Sequence, residues 1–337
     1  MGPDRGRDPA AGGGDRAAVR RITTIAPPKD PAPIERTPPR SARLEVLVPF
    51  LLVTLIWGST WLVIKDQLAV VPPSWSVTYR FTLAGLVMLG WAVVRRDSLR
   101  LDLRGWLFAA GLGIAQFTFN FNFVYRAEQH ITSGVVAIVY ALLLVPNAVL
   151  ARVFLGQRMG RQLLIGSAVA MAGVALLFVH EARLSPVGPE QALVGIGIAL
   201  AGVLSASIAN VMQATDTARA YPMASALGWA MLIGAAADAT FASATVGPPV
   251  FEMRWGYLAG VLYLGVLGSA LTFTIYFRLI RAIGPAKAAY TSVLIPVIAM
   301  LLSTLFEGYR WSALAAGGAV LVLVGLVIAL KARRPNR

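Results

Sequence analysis

The sequence predicts an all-α membrane protein: ten transmembrane helices in two inverted five-helix repeats. Three observations predict it. Of 337 residues, 57% are hydrophobic and 14% charged, where a soluble domain carries about 25% charged residues. From Glu45 onward the apolar residues fall into ten runs, each near the roughly 20 residues that cross a bilayer at about 1.5 Å rise. Finally, Gly134, Tyr140 and Pro146 recur as Gly284, Tyr290 and Pro296 at an offset of 150, and Gly166 and Gly173 recur as Gly318 and Gly325 at 152. A solenoid repeats every 20 to 50 residues; so long a period, written in apolar residues, belongs to a duplicated membrane bundle.

Residues 1–43 come first. The Gly12-Gly13-Gly14 run, the Pro27-Pro28 and Pro38-Pro39 pairs and scattered Arg residues give no apolar periodicity, so a disordered, basic, Pro/Gly-rich cytoplasmic tail is expected. It has no hydrophobic segment ahead of a cleavage site, hence no signal peptide, and its charge suits anionic headgroups. A mis-assigned translation start is a second reading of this extension. The spans follow near 45–65, 73–94, 105–125, 131–153 and 162–180, then 192–213, 221–243, 255–279, 284–305 and 311–331. The first repeat is thus residues 45–180 (helices 1–5) and the second 192–332 (helices 6–10). Breaks such as Pro72-Pro73, Arg95-Arg96-Asp97 and Gly247-Pro248-Pro249 are short. They leave no room for a separate soluble domain, ATPase or enzyme module.

Cations set the expected orientation. Arg95, Arg96, Arg100, Arg104, Arg152, Arg158, Arg161, Arg219, Arg278 and Arg281 fall in one set of links, against Lys65, Arg126, Arg183, Arg254 and Arg310 in the other. The positive-inside rule then puts both termini in the cytoplasm of a multi-pass inner-membrane protein. The same placement accounts for the net charge of +14 without a nucleic acid partner. No cysteine and only His130 and His180 exclude disulfides, thiolate chemistry and a histidine-rich metal site; no metal and no cofactor are expected. No Gly-x-x-x-x-Gly-Lys-[Ser/Thr] loop is present, so nucleotide hydrolysis is not the driving force.

Charged and polar groups inside spans are costly, and few occur. Lys65 closes the first span as a snorkelling or cavity lysine; Arg80 is deep enough to need a partner; Lys287 has the uncharged Ala137 as its repeat mate. Asp238 reads as an interfacial cap. Asn120 and Asn122 point about 200° apart on a helix, so one can face a cavity while the other holds neighbouring helices together. Tyr140 and Tyr290 are symmetric and each precedes a proline. Pro146 and Pro296 are expected to free a carbonyl and break the helix, which membranes tolerate only beside protein or water. Trp57 lies too deep for an interfacial belt. The expected site is therefore Tyr140, Tyr290, Asn120 and Trp57, with Arg80 or Lys287 meeting an anionic group.

Trp57-Gly58-Ser59-Thr60-Trp61 with Lys65 resembles the first-helix pattern of the EamA family in the drug/metabolite transporter superfamily. Ala127 through Gly134 with Pro146, and Gly284 through Pro296 with Glu307 and Gly318, resemble its fourth and ninth helices. The likeness covers about residues 45–332. It implies ten helices in two inverted repeats and export or exchange of small metabolites, amino acids or related amphipathic solutes, by alternating access. The family's frequent Gly-Glu after helix four is Gly156-Gln157 here, while Glu307 is retained in the second copy. Glu128 and Asp238 are the candidate proton carriers, both expected near the outer surface. A lipid or lipid-precursor flippase, a passive channel and, less favoured, a membrane-embedded transferase are the alternatives. The expected partners are a small-molecule substrate and membrane lipids, with a homodimer left open.

Overall fold

The computed structural model describes residues 40–156, 160–184, 189–283 and 291–330. Ten long helices lie among them: α1 Arg40–Gln67, α2 Pro73–Val94, α3 Leu103–Ala127, α4 Ser133–Leu155 and α5 Arg161–Leu184. The second set is α6 Pro189–Gln213, α7 Met223–Thr245, α8 Trp255–Leu279, α9 Thr291–Phe306 and α10 Ala313–Leu330. They match the ten expected spans. Seven of those segments are long and apolar enough to cross a membrane, and Leu164–Leu177, Ile295–Phe306 and Ala313–Gly325 are shorter apolar stretches. The expected tail lies outside the described residues as far as residue 39; from Arg40 the chain is already helical. Lys287 and Tyr290 also lie outside the described residues.

Local chemistry sets the ends. Pro73 opens α2, where its missing N–H is no loss. Asp102 caps α3, its carboxylate accepting the Gly105 N–H at 2.8 Å. Gly156 ends α4 in the left-handed region, φ 66°. As Pro146 predicts, α4 is interrupted: one helical piece stops at Ala141 and the next starts at Leu144. The Leu142 carbonyl, which cannot bond to proline, accepts from Val145 N at 2.8 Å instead. Pro296 behaves differently. The chain is continuously helical from Thr291 to Phe306 around it, so no break is seen in that stretch; the carbonyl it would leave free falls in the first described turn of α9.

Two faces of the bundle are defined by contacts between links. On what we call the carboxylate face, Asp66 pairs with Arg254 at 2.8 Å, Glu307 accepts from Ser133 Oγ at 2.5 Å, and His180 meets Ser312 at 2.8 Å. On the arginine face, Tyr221 donates to Asp102 at 2.5 Å and Arg104 to Thr217 at 2.6 Å. Successive helices therefore alternate in direction, and helices five apart run oppositely. Packing obeys the same duplication. α2 packs on its counterpart α7, and α5 on α10; α1 on α9 is mirrored by α6 on α4, and α2 on α8 by α7 on α3. The α5–α10 contact needs bare backbone. A Cβ on Gly173 would sit 2.5 Å from the Gly318 carbonyl, and one on Gly318 would sit 2.8 Å from the Gly173 carbonyl. In a bilayer, where apolar side chains gain little by meeting, this close approach is what holds the pair.

Candidate functional site

A cavity with about 120 Å³ open to the centres of water molecules lies where the two sets of helices meet. Two widened, π-helical segments shape it: Gly113–Asn120 in α3 and Tyr263–Leu271 in α8, starting at the repeat offset from one another. Such segments re-aim side chains and leave carbonyls off the regular ladder. In α3 the widened segment carries Gln116 and Asn120, both on the wall. In α8 it offers the Gly268 carbonyl to Trp57 Nε1 at 3.1 Å and Ser269 Oγ to Arg80 Nε at 2.9 Å.

Arg80 is 1% exposed, and among the described residues no acidic group is in ion-pair contact with it. Its guanidinium carbon lies 4.4 Å from the Phe121 ring centre and 5.3 Å from that of Phe81, contacts that favour a desolvated cation. Its Nη1 has no hydrogen-bond partner among the described residues. The Tyr140 hydroxyl donates to Asn120 Oδ1 at 2.9 Å, and a Cβ on Gly202 of α6 would collide with that hydroxyl. Trp61 stands 5.4 Å from the Tyr140 ring, and Trp57 meets Tyr276 edge-on at 4.9 Å. The site is thus aromatic-walled, with one unsatisfied cationic donor and three amides: Gln116, Asn120 and Asn210.

Of the residues named from sequence, Trp57, Arg80, Asn120, Tyr140 and Pro296 line this one cavity. Pro146 is in α4 but is not on its wall. Sequence reasoning missed Trp61, Gln116, Asn210 and Tyr276, also on the wall. Trp61 shares a helical face with Trp57 one turn on, and Gln116 shares one with Asn120 at the same spacing; both are usable signals.

The divided roles expected of the two asparagines hold: Asn122 faces away, accepting from Ser74 Oγ at 2.7 Å and donating to Asp238 at 2.5 Å. Asp238 corrects an expectation. It is no interfacial cap but 0% exposed within α7, because Asn122 of α3 supplies its donor and Arg126 lies near. Glu128, expected near a surface, is likewise 0% exposed. It sits in the short α3–α4 link, and burial pushes its carboxyl well above the ordinary carboxylate range, against the pull of Lys65 and with a further push from Glu307. Among the described residues no cluster of three or more His, Asp or Glu is placed to hold a metal ion.

The profile of the EamA-like transporter family matches residues 46–179 and again 193–331. The uncharacterized inner membrane transporter YedA of Escherichia coli K12 is 30% identical over 280 residues, covering 81% of this chain and 88% of its own. Protein PagO of Salmonella typhimurium is 23% identical over 306 residues, covering 86% and 94%. An Escherichia coli K12 protein named as a probable amino-acid metabolite efflux pump is 26% identical over 287 residues, covering 82% and 92%. A solved structure titled "Crystal structure of protein" superposes with a TM-score of 0.62 at 21% identity, over 87% of this chain and 100% of that one, and so shares the fold. The doubled profile match falls on the two sets of helices that build the cavity: the chain is a multi-pass membrane protein and belongs to the EamA-like transporter family.

Proposed function

We propose that the protein is a secondary transporter that exports or exchanges a small amphipathic metabolite carrying an anionic group, an amino acid or related carboxylate, by alternating access. The observation that carries this reading is the unpartnered Arg80 Nη1 on the wall of an aromatic cavity. A buried guanidinium donor without an acceptor is costly, and a carboxylate satisfies it with strong, directional bonds. The rings of Trp57, Trp61 and Tyr276 suit an apolar body, and Asn120, Asn210 and Gln116 suit an amine or a second polar group. The name of the efflux-pump relative agrees with this class. The reading includes an inner-membrane location, with the arginine face and both termini cytoplasmic, and no catalysis, since the polar groups on the wall include no nucleophile–base pair.

Metabolite profiling of cells with and without the protein, followed by counterflow of the leading solute in liposomes, tests it. The expected result is counterflow of a carboxylate-bearing solute that Arg80→Gln reduces by about 10- to 100-fold, the worth of one hydrogen bond to a charged group at about 1.5–3 kcal/mol. Absence of counterflow for every differing solute contradicts the reading.

A further inference from the structure

We propose that Glu128 is a proton-binding site, holding a proton in the conformation described and giving it up when the cavity opens toward the carboxylate face. The role in transport rests on the transporter reading above; the site itself does not. Glu128 is 0% exposed, and neither carboxylate oxygen has a hydrogen-bond partner among the described residues. Out of water and without a donor, the neutral acid is the form such a place holds.

The groups around it come from both halves. Lys65 at the end of α1 donates to the backbone carbonyl of Glu128, not to its carboxylate. Arg80 from α2, Tyr125 from α3, Tyr140 from α4 and Glu307 after α9 complete the charged and titratable groups whose fields reach it. His130, in the same link, is engaged with Gln191 at 2.6 Å. Glu307 has its own donors, Ser133 N and Oγ and Ser303 Oγ. It is therefore the better place for a charge, and its charge opposes a second one on Glu128.

The position gives the proton a route. Arg80 and Tyr140 line the central cavity, while Lys65 and Glu307 line a groove of about 620 Å³ that opens on the carboxylate face. Glu128 is in the wall of neither, but groups from both reach it: Arg80 and Tyr140 from the cavity, Lys65 and Glu307 from the groove. Lys65 belongs to the first set of helices and Glu307 to the second, so rocking of one set against the other changes what faces the carboxyl. Moving the Lys65 ammonium from carbonyl to carboxylate, or admitting water from the groove, stabilises the charged form, and the proton leaves to water. Asp238, equally buried, is only half satisfied: Asn122 donates to one oxygen at 2.5 Å and the other has no partner among the described residues.

The test uses the full chain in lipid and needs no solute. Infrared spectra followed against pH report protonated carboxyls by their C=O stretch. The expected result is a protonated band persisting above about pH 4.3, where unperturbed carboxyls titrate. One component of that band is lost in Glu128→Gln and kept in Asp238→Asn. Gln is isosteric with the neutral acid, and gel filtration checks that the fold is kept. A band absent from the parent protein, or unchanged in Glu128→Gln, overturns the proposal. Coupling is read from a cysteine at Ala137, on the cavity wall, in this cysteine-free chain. Its maleimide labelling, taken relative to a cysteine at exposed Ser98, changes over the pH range in which the band is lost and becomes pH-independent in Glu128→Gln. Labelling with the same pH dependence in both, or with none in either, overturns the coupling. Failure to find a transported solute leaves both readouts intact.

Discussion

Arg80, Asn120 and Tyr140 show how single residues build the site and how far each was legible. A cation, an amide and a phenol inside apolar runs are expensive enough to stand out in the sequence, and all three line one cavity. The partner of Arg80 did not stand out, since Ser269 lies 189 residues further along the chain. Removing the hydroxyl in Tyr140→Phe leaves Asn120 Oδ1 without this donor and costs about 0.5–1.5 kcal/mol. Counterflow should fall several-fold with membrane abundance unchanged; equal counterflow would take the hydroxyl out of the mechanism. Burial of Glu128 was not legible, because it depends on Lys65 and Glu307 brought from two other helices. A different residue pair gives a pH test. The Tyr221 hydroxyl and the Gly105 N–H donate to Asp102 and hold its carboxyl below the usual range. A depressed carboxyl stabilises the fold above its unfolded pKa, and that contribution is lost as pH falls through the folded value. Tyr221→Phe should therefore lower the melting temperature at neutral pH, with the gap to the parent protein closing on acidification. A gap that is constant across that range would show that the pair is not linked to protonation.

At the scale of elements, helix positions were readable from apolar run lengths, and the interruption of α4 from Pro146. The widened turns of α3 and α8 were not. They require no particular residue type, so nothing in the apolar pattern announces them. The tight helix pair was legible: Gly173, Gly318 and Gly325, three of the glycines that mark the repeat, are places where an added Cβ would strike the facing backbone. Gly173→Ala places a methyl 2.5 Å from the Gly318 carbonyl and 2.7 Å from Val322 N, both backbone. Overpacking of this kind costs typically about 1–3 kcal/mol, so detergent melting should shift downward. Gly197→Ala, with nothing within 4 Å, should melt like the parent protein or slightly above it. A Gly173→Ala protein as stable as Gly197→Ala would contradict the close α5–α10 approach.

Over the whole molecule the scaffold is duplicated but the chemistry is not. At the repeat offset of 150, Arg80 corresponds to Ala230, Asn120 to Ala270 and Trp57 to Ser207. The first half supplies Arg80, Gln116, Asn120 and Tyr140, and the second supplies Asn210, Tyr276 and Thr291. Under the proposed alternating access, the two halves are the units that rock and the asymmetric wall is what orients a solute. The most direct measurement is the accessibility of Ala137→Cys, on the cavity wall, to a membrane-impermeant maleimide applied to right-side-out and inside-out vesicles. Alternating access predicts labelling from both sides, each slowed by saturating transported solute. Labelling from one side alone, or labelling that bound solute leaves unchanged, would contradict a central cavity reached in turn from either face.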